Sequence, residues 1–151
     1  MKQFKRTNNK QLGELLVERG VINHEQLQIA LDHQKTHGGL FGEVLVELRF
    51  ATEKDIAQAL TCQYGFPYLP LSNYEIDMEV LNSVPENICR KFCLVPIDKI
   101  GKSLTLAMSN PLNVQAAEDV ELITGCSVQA FVSTSTEIKH AIDKYYKPPN
   151  K

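Results

Sequence analysis

Few residues in this chain bring chemistry, and each set stops short of a complete site. Gly101-Lys102-Ser103 has the ending of a phosphate-binding loop, but a Walker A loop needs a glycine five residues earlier and a helix directly after it, so that backbone amides and helix dipole meet the phosphates. Pro96 holds that earlier position and a strand pattern follows, so the triplet reads as a hairpin turn. Cys89 with Cys93, and His33 with His37, have the i,i+4 spacing that puts two metal ligands on one helix face, but the cysteines have no second CxxC-like pair and the histidines no third ligand nearby in sequence to complete a zinc tetrahedron. Together with Cys62 and Cys126, the cysteines read as reduced, buried thiols. Glu118-Asp119 and Glu121 fall on the polar side of an amphipathic helix, where carboxylates are ordinarily solvated. There is no nucleophile elbow, no HExxH and no EF-hand loop, and Ser, His and Asp are not grouped as a triad. No residue set supports catalysis.

A different signal comes from repetition. Aligning residues 11–34 with residues 40–63, a shift of 29, gives eight identities in 24 positions. They are Gly13/Gly42, Glu14/Glu43, Leu16/Leu45, Val17/Val46, Glu18/Glu47, Ala30/Ala59, Leu31/Leu60 and Gln34/Gln63, while Leu15/Val44 and Leu27/Ile56 keep the apolar character. Two copies of a helical hairpin burying their leucines on each other explain the apolar matches. A glycine near a helix start costs about 1 kcal/mol relative to alanine, and packing does not obviously require a glutamine at both ends. Repeated glycines and glutamines also suit a ligand lying across both copies. Both readings stand on the residues.

The elements that must carry these residues follow from apolar period and caps. Leu12, Leu15, Leu16 and Arg19 form a stripe closed by Gly20; Asn23 caps a second helix with Leu27, Ala30, Leu31 and Gln34. After Gly38-Gly39, Phe41, Val44, Leu45 and Leu48 form a third, and Thr52 with Asp55 starts a fourth through Ile56, Ala59, Leu60 and Gln63. From Tyr64 to Pro70 the chain is extended and linker-like. Asp77–Val84 and Pro85–Phe92 read as short helices, the second with proline in its first turn. Leu94–Ile97 and Ser103–Met108 form a hairpin, Asn113–Thr124 a helix closed by Gly125, Ser127–Ser133 a strand and Ser135–Tyr146 a final helix. The order β-α-α-β-β-α-β-α implies a small mixed sheet with helices on one side. The expected class is α+β: a basic flexible arm at 1–9, a four-helix tandem-hairpin subdomain at 10–64, an α/β subdomain at 65–147 and a linker start at 148–151.

Composition narrows the function classes. With 43% hydrophobic residues in 151, the chain can bury a core, which argues against wholesale disorder. Residues 1–64 carry 8 basic and 8 acidic side chains and residues 65–151 carry 8 and 10, so neither half is the basic body of a duplex-DNA binder. Lys2, Lys5, Arg6 and Lys10 form a local basic arm. No stretch approaches the roughly 18 apolar residues of a transmembrane helix, and nothing behind the basic start reads as a signal peptide, so a cytoplasmic protein is expected.

The pattern LGxLLxxxGxIxxxxLxxAL..Q from Leu12 to Gln34, its copy from Phe41 to Gln63, and the stretch VPENICRKFCLVPIDKIGKSLTLAMSNPL resemble the N-terminal (MshEN or GspE N-terminal) domain of type II secretion and type IV pilus assembly ATPases. The resemblance covers roughly residues 9–147. It includes Val84-Pro85 before a helix, the run from Leu106 to Leu112, Thr124-Gly125, and Ala141-Ile142 to Tyr146. It implies a non-catalytic regulatory and docking module that precedes an ATPase core and touches a platform protein at the inner face of the inner membrane. In some members it implies cyclic di-GMP bound across the two motifs. The chain has no Walker motif, and Tyr146–Lys151 looks like an interdomain linker start.

Carried over residue by residue, the implied ligand set is Leu12, Gly13, Leu16, Gly20, Leu27, Leu31 and Gln34 in the first copy and Gly42, Leu45, Leu60 and Gln63 in the second. No metal ligand is implied. The family's arginine before the Leu-Gly pair is replaced by Gln11 and Leu40; Phe41 replaces a leucine, and Arg49 stands opposite Gly20. Charge-assisted contacts of that kind are typically worth about 1.5–3 kcal/mol each, and Lys10 or Arg6 are the nearby cations that would compensate.

Overall fold

The computed structural model describes residues 9–72 and 74–146, with side chains from Leu12 onward. Residues 1–8 of the basic arm including Arg6, the side chains of Lys10 and Gln11, and the linker start at 148–151 lie outside the described residues, while Asn9 is the first residue of α1. The elements in order are α1 (Asn9–Glu18), α2 (His24–His37), α3 (Phe41–Glu47), α4 (Glu53–Tyr64), α5 (Met78–Leu81), α6 (Glu86–Phe92), β1 (Leu94–Ile100), β2 (Ser103–Met108), α7 (Val114–Thr124), β3 (Ser127–Val132) and α8 (Ser135–Tyr145). This is the expected α+β class.

The sequence repeat is a structural repeat at its hydrogen bonds. Asn23 caps α2 through a reciprocal pair with Gln26, and Thr52 caps α4 through the equivalent pair with Asp55. At the end of α1, Val21 N–H donates to Leu16 O (2.9 Å) and Gly20 N–H to Val17 O (3.0 Å). At the end of α3, Phe50 N–H donates to Leu45 O (2.9 Å) and Arg49 N–H to Val46 O (3.0 Å). Both are Schellman endings, which place one residue in the left-handed region. Gly20 takes it at φ 80° and Arg49 at φ 65°, so the turn survives loss of the glycine. Left-handed backbone costs an ordinary L residue roughly 1–2 kcal/mol, partly offset for glycine by its greater unfolded entropy. Arg49→Gly is therefore expected to stabilise the chain by about 0.5–1 kcal/mol, read as a urea midpoint moving up with unchanged slope.

Equivalent positions are also buried together. Leu12/Phe41, Leu15/Val44, Leu16/Leu45, Ile22/Ala51, Leu27/Ile56 and Ala30/Ala59 all belong to one hydrophobic cluster. Leu112 and Val132 join it from the second half of the chain. The second cluster lies under the sheet and includes Leu81, Val84, Leu94, Leu104, Leu106, Val120 and Ile138. The copies differ at their ends: the Gly38-Gly39 break leaves α3 with seven residues against ten in α1.

The sheet has order β1-β2-β3, with β1 antiparallel and β3 parallel to β2. Gly101, at φ 59°, and Lys102 form the two-residue turn between Ile100 and Ser103, so the phosphate-loop ending is a hairpin turn as expected. Pro96, which lacks an N–H, sits on an edge strand beside a register irregularity. The leading strand of the expected order is not a strand. The extended piece makes a single parallel bridge, Tyr68 to Val132, with Leu69 N–H donating to Val132 O and Val132 N–H to Pro67 O, both 2.8 Å. Pro67 and Pro70 lack the N–H groups a longer ladder needs. Pro85 is the N-cap of α6 rather than a first-turn residue. Cys89, Cys93 and Cys126 are buried free thiols, but Cys62, expected to be buried, is exposed on α4.

Candidate functional site

Most residues picked out by the repeat serve the helical fold itself. Leu12, Leu16, Leu27, Leu45 and Leu60 are buried in its core, and Leu31 packs at the edge. Gly20 is exposed and shaped by its positive φ. Gln34 and Gln63 do not share a role: Gln34 Nε2 donates to Gly39 O (2.8 Å) at the close of α2, whereas Gln63 is exposed.

The two glycines also part company. Gly13 does not bare backbone at a helix start; it is buried in mid-α1, where an added Cβ would collide with Leu27 Cδ1 and come within 3.4 Å of Phe41 Cε2. At Gly42, the second residue of α3, an added Cβ finds only Ile56 Cδ1 at 3.7 Å, an ordinary contact. Gly42→Ala is thus expected to gain about 0.5–1 kcal/mol of helix stability, and Gly13→Val to lose about 1–3 kcal/mol through overpacking. Thermal melts of the two variants should move in opposite directions; a shared sign would show that the α1–α2 crossing is not as close as described.

Leu12 and Gly42 do meet a site, a cavity of about 90 Å³ on the seam between the helical repeats and the sheet. Its apolar wall is Leu12, Leu40, Val46, Ile56, Ala57 and Phe92; its polar wall is Ser109, Asn110, Asn113 and Ser133–Ser135; Glu43 and Glu53 close it. The loops at the ends of β2 and β3 position the polar wall. Asn113 Oδ1 accepts Ala116 N–H (3.3 Å), capping α7, and Asn110 Oδ1 accepts Leu112 N–H (3.1 Å). Buried Ser133 donates its hydroxyl to Leu69 O (2.7 Å). Thr134 caps α8 in a reciprocal pair with Glu137, whose carboxylate also accepts Tyr68 O–H at 2.8 Å. Desolvation, followed by that carboxylate, pushes the Tyr68 hydroxyl up to about 12.

The two glutamates tie the halves together. Glu53 accepts from Thr136 N–H (3.2 Å) and Oγ1 (2.7 Å) at the start of α8, and Glu43 pairs with Lys139 Nζ at 3.2 Å. Burial lowers Lys139, but the Glu43 contact outweighs it and leaves the amine above its ordinary value. Cys93 lies against this site, held in the left-handed region at φ 55°, with burial pushing its thiol up against the opposing bonds of Ser109 and Ser135. The carboxylates and hydroxyls around the cavity are largely engaged within the fold: Glu53 by Thr136, Glu43 by Lys139 and Ser133 by Leu69 O. The cavity's volume is below the roughly 300–1,000 Å³ of usual ligand pockets. Among the described residues, no three or more His, Cys, Asp or Glu side chains are grouped to hold a metal.

Sequence reading did not find Leu40, Glu43, Glu53, Asn110, Asn113 or Ser133–Ser135 as one site. Asn113 and Ser135 are legible as helix starts, but the capping box at Thr134 and the convergence of these loops on α3 and α4 come from the structure.

The profile of the MshEN domain matches residues 64–150. The type IV pilus assembly ATPase PilB of Myxococcus xanthus is 33% identical over 135 residues, covering 89% of this chain and 24% of that protein. PilB of Thermus thermophilus is 31% identical over 140 residues, covering 91% and 16%. The chain therefore spans a quarter or less of these curated relatives. Among solved structures, MshE with cdg superposes with a TM-score of 0.67 at 29% identity, covering 89% of this chain and 98% of that one. The N-terminal domain of XpsE superposes with a TM-score of 0.75 at 22% identity, covering 96% and 99%.

Proposed function

Because this chain belongs to the MshEN domain family, we propose that it is a non-catalytic regulatory and docking domain of a type IV pilus or type II secretion assembly ATPase. In this reading it binds a platform or partner protein at the cytoplasmic face of the inner membrane and positions an ATPase core, with residues 10–64 and 65–147 as two subdomains joined at the seam. The observation that carries it is the alignment of 89% of the chain with 24% of the Myxococcus xanthus PilB. The seam fits this role: its hydroxyls and carboxylates are engaged as helix caps and tethers rather than arranged around a nucleophile. Calorimetric titration of the chain with the cytoplasmic domain of the cognate platform protein tests it. Saturable micromolar binding is expected, and absence of binding to every neighbouring secretion component would reject it.

A second reading, a cyclic di-GMP sensor, is favoured by one observation: the likeness to MshE solved with cdg. The dinucleotide would lie across the two motifs, whose Leu12 and Gly42 reach the seam. Gln11 and Leu40 in place of arginines remove two cationic contacts, so binding weaker by one or more orders of magnitude than in arginine-bearing motifs is expected. Amide shifts of Gly13, Gly42, Gln34 and Gln63 on titration with the nucleotide decide it; unchanged spectra at millimolar ligand exclude it.

A further inference from the structure

The outward face of α7 is left unfinished by the fold. Ala116 and Val120 bury the inward stripe against the sheet. The outward stripe runs Gln115, Glu118, Asp119, Leu122, the i, i+3, i+4, i+7 spacing of one helix face. Leu122 is 83% exposed and its neighbour Ile123 47%. A lone exposed apolar side chain needs no explanation, but this pair has company. Ile100, 73% exposed, lies at the same end of the sheet: it pairs with Ser103, and Ser103 pairs with Ser127, which follows α7 by way of Gly125 and Cys126. This end is opposite the seam, where β2 and β3 finish at Met108 and Val132.

Charge selects what fits there. α7 carries Glu118, Asp119 and Glu121 and no basic residue. Glu121 accepts Val128 N–H at 3.0 Å on the edge strand, and Asp119 accepts Gln115 Nε2 at 3.2 Å along the outward stripe. Glu118 and Asp119 sit one turn before Leu122 on the same stripe, so an apolar contact at the C-terminal end of α7 is flanked along the helix by negative charge. We propose that the Leu122–Ile123 end of α7 is a docking surface for a partner helix that sets an apolar side chain on Leu122 and Lys or Arg side chains against Glu118 and Asp119. Carboxylates beside the apolar contact favour a basic partner and repel an acidic one, giving specificity and salt-dependent association. The inference rests on the docking reading above and names the surface and the partner chemistry.

Two titrations of the full chain test it. With a synthetic amphipathic helix bearing a leucine ridge flanked by lysines, amide shifts are expected at Glu118–Thr124, weakening at least tenfold in Leu122→Ser and in the Glu118→Lys/Asp119→Lys double variant. Leu122→Ser should keep the wild-type melting temperature, since that side chain faces outward. Equal binding of a glutamate-bearing counterpart, or shifts confined to other elements, would overturn the inference. With the cognate platform domain, an unchanged Kd in Leu122→Ser rejects this surface while leaving docking intact, and no binding by the wild type rejects the docking reading while the peptide still decides the surface.

Discussion

Truncating Leu45 to alanine is expected to remove about 2–5 kcal/mol of stability, a large share of the roughly 5–15 kcal/mol that holds a domain of this size together. Leu45 is fully buried, as is Leu16 at the equivalent position of the first repeat. Its peptide group also accepts the Phe50 N–H that closes α3. A helix of seven residues is far below the length at which isolated helices persist, so α3 exists because its apolar face is packed. The loss combines the transfer term of the deleted methyl groups with a cavity that a stack of two hairpins cannot fully collapse. Urea unfolding at unchanged slope measures it, and Leu16→Ala should fall in the same range. A loss below about 1 kcal/mol at both positions would mean that the repeats do not pack on each other.

Alkaline pH should unlock the opposite end of the chain. Burial pushes the Cys89 thiol up to about 11, against the opposing bond from Tyr146, and burial followed by the Cys89 contact pushes the Tyr146 hydroxyl well above its ordinary value. The geometry accounts for both shifts. Tyr146 O–H lies 2.8 Å from Leu81 O, 3.1 Å from Val84 O and 3.5 Å from Cys89 Sγ, an arrangement that suits neutral groups and two carbonyl acceptors. Because both folded values are raised, their contribution is complete below the unfolded thiol's value near 9 and is lost as pH climbs through the folded values. Two units on a fully buried thiol correspond to about 3 kcal/mol, lost between pH 9 and about 11, with Tyr146 adding to the decline once the unfolded phenol titrates near 10. The two groups titrate as a pair. Urea midpoints under reducing conditions should be flat from pH 7 to 9 and fall steeply above it. Cys89→Ala should flatten the first part of the fall, and a wild-type profile level to pH 11 would refute the account.

The position of α8 connects these results to the proposed role. At its start, Glu53 and Glu43 tie it to the second helical repeat; at its end, Tyr145 accepts Ile76 N–H and donates to Tyr74 O, and Tyr146 holds Leu81 and Val84. One helix therefore spans from the seam to the carbonyls that follow α5. Whatever occupies the seam or α7 acts on a scaffold already fixed at both ends of α8.

The helical repeat was legible because its determinants are local. Asn23 with Gln26, Thr52 with Asp55, and the glycines after α1 and α4 satisfy backbone groups within a few residues of themselves, so the pattern of types is the pattern of bonds. The α/β order after its leading strand was legible for the same reason, through Asn113, Gly101 and Gly125. Where long-range contacts decide, the residues said less. Gly13 and Gly42 look alike in the sequence, yet Leu27 crosses one and only ordinary space surrounds the other. Arg49 reads as a broken motif position, yet the packing around Phe50 and Ala51 holds it in the conformation Gly20 takes freely. Pro67 and Pro70 mark a break, but only the docking of Tyr68 on Val132 turns it into a fixed bridge rather than a strand.

Taken alone, the order of amino acids determined the caps, the doubled hairpin and the sheet's turn, since these depend on side chains reaching their own backbone or their periodic neighbours. Tertiary structure alone decided which motif residues became core, that Leu112 and Val132 stitch the sheet to the repeats, and that Glu43, Glu53, Asn110, Asn113 and Ser133 face one cavity. It also decided that Leu122 faces outward while Val120 does not reach the surface. These are distances between segments far apart in the chain, set by how whole faces pack, and no local spacing encodes them.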